Sequence, residues 1–65
     1  MNLTVNGEPL VFTGSTLVDL LVQLELTGRR IAVEVNQDIV PKGEHATHVL
    51  RDKDRVEIVH AIGGG

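Results

Sequence analysis

The sequence closes on Ile62-Gly63-Gly64-Gly65, and these three consecutive glycines are its strongest chemical signal. Glycine lacks a Cβ and reaches backbone angles closed to other residues, so a glycine tail passes extended through a channel too narrow for any side chain. What such a tail delivers is the carboxylate of Gly65, with Gly63 and Gly64 as the segment that threads into a partner. At ordinary glycine usage, three in a row at a chosen site arise by chance on the order of a few times in ten thousand. The competing readings are a frayed terminus or a spacer left over from expression.

Other chemistry in the chain is thin. His45 and His48 lie three apart and His60 stands alone, a set that offers nitrogen ligands in principle. Without thiolates or a paired set of outer partners they read as solvated or hydrogen-bonded histidines, and no metal is expected. Glu44, Asp52 and Asp54 fall in turns, where carboxylates cap or solvate backbone groups rather than work as an acid/base pair. The chain contains no cysteine nucleophile and no Gly-rich phosphate loop of the Walker type, so no catalytic residue is assigned.

Length and composition narrow the class. At 65 residues the chain makes one domain, too short for both a large core and a deep substrate pocket, which disfavours a self-sufficient enzyme. With one Phe and no Trp or Tyr, the core must be built from Leu, Val and Ile. The absence of Cys rules out a disulfide framework and fits a reducing, cytoplasmic setting. A net charge of −3 with both signs interspersed argues against nucleic acid or anionic lipid as partner and suits a basic protein surface. No apolar run approaches the roughly 20 residues of a membrane span, and Met1 leads straight into strand-like sequence, so a soluble, unexported protein is expected.

The elements that must position the tail follow from periodicity. Leu3 and Val5 alternate with Thr4, and Leu10 and Phe12 with Val11, on either side of Asn6-Gly7, whose two positive-φ positions make a type I′ hairpin turn. Pro9 lacks an N–H and assigns the second strand to a sheet edge. Leu17, Leu20, Leu21 and Leu24 then fall at i, i+3, i+4 and i+7, the core-facing stripe of a helix capped by Thr16 with Asp19 in its first turn; Gly28 suits the left-handed position after it. Ile31–Val35 reads as a third strand, Asn36-Gln37-Asp38 as a turn, and Ile39-Val40 as a brief extended piece stopped by Pro41. Lys42-Gly43-Glu44 reads as exposed loop, Val49-Leu50 as a short strand, and Arg51-Asp52-Lys53-Asp54 as a turn into a last strand carrying Val56 and Ile58.

A hairpin, one helix and further strands give an α+β domain with a single helix covering one face of a mixed sheet, the ubiquitin-like β-grasp arrangement. A crossover over the sheet lets the last strand lie parallel to the first, at the centre, with residues 1–62 forming the domain and 63–65 a flexible glycine tail projected from it. The partner interface then falls on Val59, His60, Ala61 and Ile62, the competing reading being that Val59 and Ile62 complete the small core.

In order and spacing, the Asn6-Gly7 hairpin, Ala32-Val33-Glu34-Val35-Asn36, Ile39-Val40-Pro41, Asp52-Lys53-Asp54-Arg55-Val56-Glu57-Ile58-Val59 and the final Gly64-Gly65 resemble the ThiS family of thiamine-pathway sulfur carriers over nearly the whole chain. Two departures are Lys53, where that family commonly has glycine in an Asp-Gly-Asp turn, and the extra Gly63. The resemblance implies a carrier cycle. A ThiF-like adenylating enzyme, using ATP and Mg²⁺, converts the Gly65 carboxylate to an acyl-adenylate. Sulfur from a donor such as a cysteine desulfurase turns it into a thiocarboxylate, and a ThiG-like thiazole synthase consumes that sulfur in building the thiazole of thiamine. The alternatives are a carrier for another pathway, like the small subunit of molybdopterin synthase, a ubiquitin-like modifier, or a plain binding module.

Overall fold

The structure, a computed structural model, describes residues 1–61. Ile62, Gly63, Gly64 and Gly65 lie outside the described residues, and with them the expected tail and the Ile62 part of the interface. Strand β1 (Asn2–Val5) turns back into β2 (Glu8–Val11), helix α1 (Leu17–Gln23) crosses over, and β3 (Ile31–Val35), β4 (Asp38–Val40) and β5 (Arg55–His60) complete a five-stranded sheet of order β2-β1-β5-β3-β4. β5 is parallel to β1 and antiparallel to β3, so the last strand takes the central place that the crossover argument requires. Pro9 sits on edge strand β2.

Both hairpins close through two residues of positive φ. Asn6 (50°) and Gly7 (82°) join β1 to β2, and Asn36 (52°) and Gln37 (73°) join β3 to β4, each a turn whose twist matches its strands. The second turn is therefore Asn36-Gln37 alone, with Asp38 already the first residue of β4. Lys53 also takes positive φ, 73°, supplying from a residue with a Cβ the geometry that glycine gives more cheaply.

One sheet face is apolar because strand side chains alternate: Leu3, Val33, Val35, Val40, Val56 and Ile58 point to the helix side and are buried. Leu17, Leu20 and Leu21 join them in one buried cluster, with Phe12 and Leu50. Leu24 packs against this cluster partly exposed. A Cβ on Gly14 would come within 2.5 Å of Asp19 Cβ and 2.8 Å of the Phe12 ring, so glycine there lets the loop pass close over the buried aromatic ring.

The helix begins as its sequence dictates. Thr16 Oγ1 accepts from Asp19 N (3.3 Å), while Asp19 Oδ2 accepts from Thr16 N (3.0 Å) and Ser15 N (2.9 Å), a reciprocal capping box. Those backbone donors, Thr16 first and Ser15 next, hold the Asp19 carboxyl below the ordinary carboxylate range.

Its other end departs from expectation. The helix stops at Gln23 and the left-handed residue after it is Glu25 (φ 60°), not Gly28. Glu25 N donates to Val22 O (3.0 Å) and Leu26 N to Leu21 O (2.8 Å), the paired bonds of a Schellman close. Turning back early packs Leu26 against the core, and that burial outweighs the strain of a Cβ in the left-handed region. Gly28 (φ 80°) serves the next turn instead.

Two further expectations are corrected. Lys42–Glu44 forms one 3₁₀ turn rather than irregular loop, closed by Glu44 N to Pro41 O (2.8 Å) and His45 N to Lys42 O (3.2 Å). Val49-Leu50 is no strand: a single bridge ties Val49 to Thr16, because Leu50 N donates to Ser15 O and Leu17 N to His48 O while Leu50 turns into the core.

Candidate functional site

β5 leads directly to the glycines, and it is anchored by both neighbouring hairpins. The residue that opens each turn is an asparagine whose side chain reaches across to β5. Asn36 Oδ1 accepts from Arg55 N (3.0 Å) and its Nδ2 donates to Asp54 Oδ1 (2.9 Å); Asn6 Oδ1 accepts from Ile58 N (2.7 Å). An exposed turn residue thus does two jobs, adopting the left-handed backbone and finishing the hydrogen bonding of the strand beside it.

The turn before β5 is pinned by carboxylates. Asp54 Oδ2 accepts from Arg51 N (2.9 Å), and Asp52 Oδ1 accepts from Asn2 N (2.7 Å). Both act as backbone acceptors, the role expected of acidic residues in turns.

At the far end of β5, Ala61 N donates to Arg30 O (2.8 Å), so the sheet holds the chain up to the last described residue. Val59 is 63 % exposed on the open face of the sheet, beside Ala32 in the register of β3. The alternative reading of Val59 as core is thereby overturned: alternation puts Val56 and Ile58 inward and Val59 outward. His60 and Ala61 are exposed as well, so Val59, His60 and Ala61 form one accessible stretch ahead of the glycines.

The histidines are separated. His45 is buried, with Nε2–H donating to Val40 O (3.0 Å), a structural contact behind the 3₁₀ turn. His48 is half-buried in the next segment and His60 lies on β5. Among the described residues no three His, Asp or Glu side chains gather with metal-binding geometry. Nor, among them, is any helix long and apolar enough to cross a membrane.

Sequence reasoning missed the asparagine clasps. Asn6 and Asn36 stood out as turn formers, but which strand their side chains reach depends on β5 lying between the two hairpins.

Comparison with known proteins fits this architecture. The sequence profile of the ThiS family matches residues 3–65. The chain belongs to the ThiS family. It is 40% identical over 50 residues to the sulfur carrier protein ThiS of Bacillus subtilis, a match covering 77% of this chain and 76% of that one. The crystal structure of the thiamine biosynthesis protein ThiS from Geobacter metallireducens superposes with a TM-score of 0.85 at 33% identity, covering 100% of both chains. The β-grasp assignment therefore rests on sequence and on three-dimensional likeness. The chain is also 46% identical over 66 residues to a thiazole synthase of Paramagnetospirillum magneticum, covering 100% of this chain but 20% of that protein. It spans about a fifth of the length of the thiazole synthases it matches.

Proposed function

We propose that the chain is a sulfur carrier of thiamine biosynthesis, in which the Gly65 carboxylate is the group activated and loaded. The observation that carries this reading is the placing of β5: a central strand, clasped by Asn6 and Asn36 and held through Ala61, leads into a glycine run that presents no side chain to a channel. A rigid base lowers the ordering entropy lost when an enzyme grips the following residues.

In this reading a free carboxylate is a poor acyl electrophile, so activation comes first. A Gly65 carboxylate oxygen attacks the α-phosphorus of ATP in a ThiF-like enzyme, Mg²⁺ offsetting phosphate charge as pyrophosphate leaves. The terminal sulfur of a persulfide, supplied by a cysteine desulfurase or similar donor, then attacks the acyl carbon and AMP departs. A thiol cleaves the resulting acyl disulfide, leaving as a disulfide itself, and Gly65 ends as a thiocarboxylate. Thiazole synthase is the consumer this reading favours, supported by the relatives of that name in which a segment like this chain occupies a fifth of the length. The chain itself contributes positioning and no catalytic group: Gly63 and Gly64 thread, while Val59, His60, Ala61 and Ile62 meet the enzyme.

ATP–pyrophosphate exchange by the adenylating enzyme tests this. Exchange should depend on the chain, and deleting Gly65 should abolish it. Undiminished exchange with the deleted variant would end the carrier reading.

A further inference from the structure

The two sides of β5 are not equally used. Ala61 N donates to Arg30 O and Asn36 N to Arg55 O, so the odd-numbered residues of β5 turn their backbone groups to β3. Even-numbered residues face β1: Thr4 N donates to Asp54 O (3.0 Å), Asn6 N to Val56 O (2.8 Å), and Ile58 N to the Asn6 side chain. Register with β1 ends at Val5 opposite Val56, whereas register with β3 continues to Ile31 opposite His60. Past the tip of the first hairpin, the Ile58 carbonyl and the His60 N–H and carbonyl have no strand beside them among the described residues.

Acceptor, donor and acceptor at strand spacing is what an extended backbone recognises. Proteins ordinarily blunt such edges with charge, proline or brevity. The two outer edges follow that rule, β2 with Glu8 and Pro9 and β4 with only three residues, followed at once by Pro41. The end of β5, Ile58-Val59-His60-Ala61, has neither proline nor carboxylate, and it is a central strand laid bare only because β1 is short.

We propose that this edge is a docking slot for an extended segment of the adenylating enzyme, which adds a short strand beside Ile58–His60 in line with β1. The proposal rests on the carrier reading. The slot is continuous with the exposed Val59–Ala61 stretch and opens on the strand that leads to the glycines. A strand added there draws the following residues out in extended form toward the nucleotide site.

Residue-resolved amide hydrogen exchange tests it, in the free chain and in complex with the adenylating enzyme and ATP. In the free chain the His60 amide should exchange freely while the Val59 amide, paired with β3, is protected; on binding, His60 should slow at least tenfold. In parallel, His60→Pro removes the unpaired donor without breaking a bond to β3. It should bind the enzyme about fivefold or more weakly than His60→Ala, the loss of roughly one hydrogen bond, at the same melting temperature. A His60 amide that stays open in a complex that still adenylates the chain, or equal affinities of the two variants, would overturn the slot and leave the carrier reading standing. His60 protection that grows with the concentration of the free chain would mean that a second copy takes the edge, and would overturn the assignment to the enzyme. Failure of adenylation altogether would remove both readings.

Discussion

β5 has two flanks, and they differ in kind. Along β3 it is paired from Val56 to His60; along β1 pairing covers Arg55 and Val56, after which a single side chain, Asn6, takes over. The same alternation separates its residues by depth: Val56 is 0% exposed and Val59 63%. One flank and one face make the strand rigid, while the other flank and face stay accessible. If the chain is the sulfur carrier proposed above, the contrast divides a 65-residue domain between anchoring and presenting.

The widest break in that division comes from beneath both flanks. Leu20 is fully buried under the sheet, so Leu20→Ala should cost about 3–5 kcal/mol, a large part of the stability of a domain this small. A urea unfolding midpoint unchanged from wild type would refute the core assignment.

The asparagine clasps come next, and they should be unequal. Asn6→Ala orphans the partly buried Ile58 N–H, whereas Asn36→Ala frees groups that water reaches; both put a methyl-bearing residue at positive φ. Asn6→Ala should therefore lose about 2 kcal/mol and Asn36→Ala about 1 kcal/mol. Glycine at the same positions separates the two contributions, since it relieves the strain and still lacks the acceptor. Equal losses for the alanine variants would show that strain alone sets the cost.

A smaller effect sharpens the comparison between the two turns. Gly7 and Gln37 occupy the same place in their hairpins, but only Gln37 carries a side chain at positive φ, 73°. Gln37→Gly should raise stability by about 0.5 kcal/mol, the relief of strain less the entropy that glycine adds to the unfolded chain. Thermal melting checks the sign.

The smallest effect is acid sensitivity at the helix start. Because backbone bonds from Thr16 and Ser15 lower the Asp19 pKa in the folded chain, its contribution is present above the unfolded value of about 3.9 and is lost as pH falls through the folded one. Asp19→Asn should flatten the decline in melting temperature below about pH 4. An identical acid limb would mean that the cap does not titrate with folding.

Much of this was legible in advance. Asn6-Gly7 fixed a turn that only positive φ can close, Pro9 marked an edge, the leucine spacing marked the helix face, and the alternation through Val56 and Ile58 marked a half-buried strand. What was hidden depends on competition between distant parts. Glu25 rather than Gly28 ends the helix because Leu26 gains burial by turning early. Leu50 leaves the extended path to fill the core, which no local propensity encodes. At the candidate site, the exposed Val59, His60 and Ala61 stood out by position, while the open edge of β5 emerges only when the lengths of β1 and β3 are compared.

The central claim is that the Gly65 carboxylate carries sulfur. The most direct test is the intact mass of the chain after incubation with ATP, the adenylating enzyme and a persulfide sulfur donor, beside a variant lacking Gly65. The account predicts a gain equal to replacement of one oxygen by sulfur in the wild type and none in the variant; an unchanged wild-type mass with demonstrably active enzyme would contradict it.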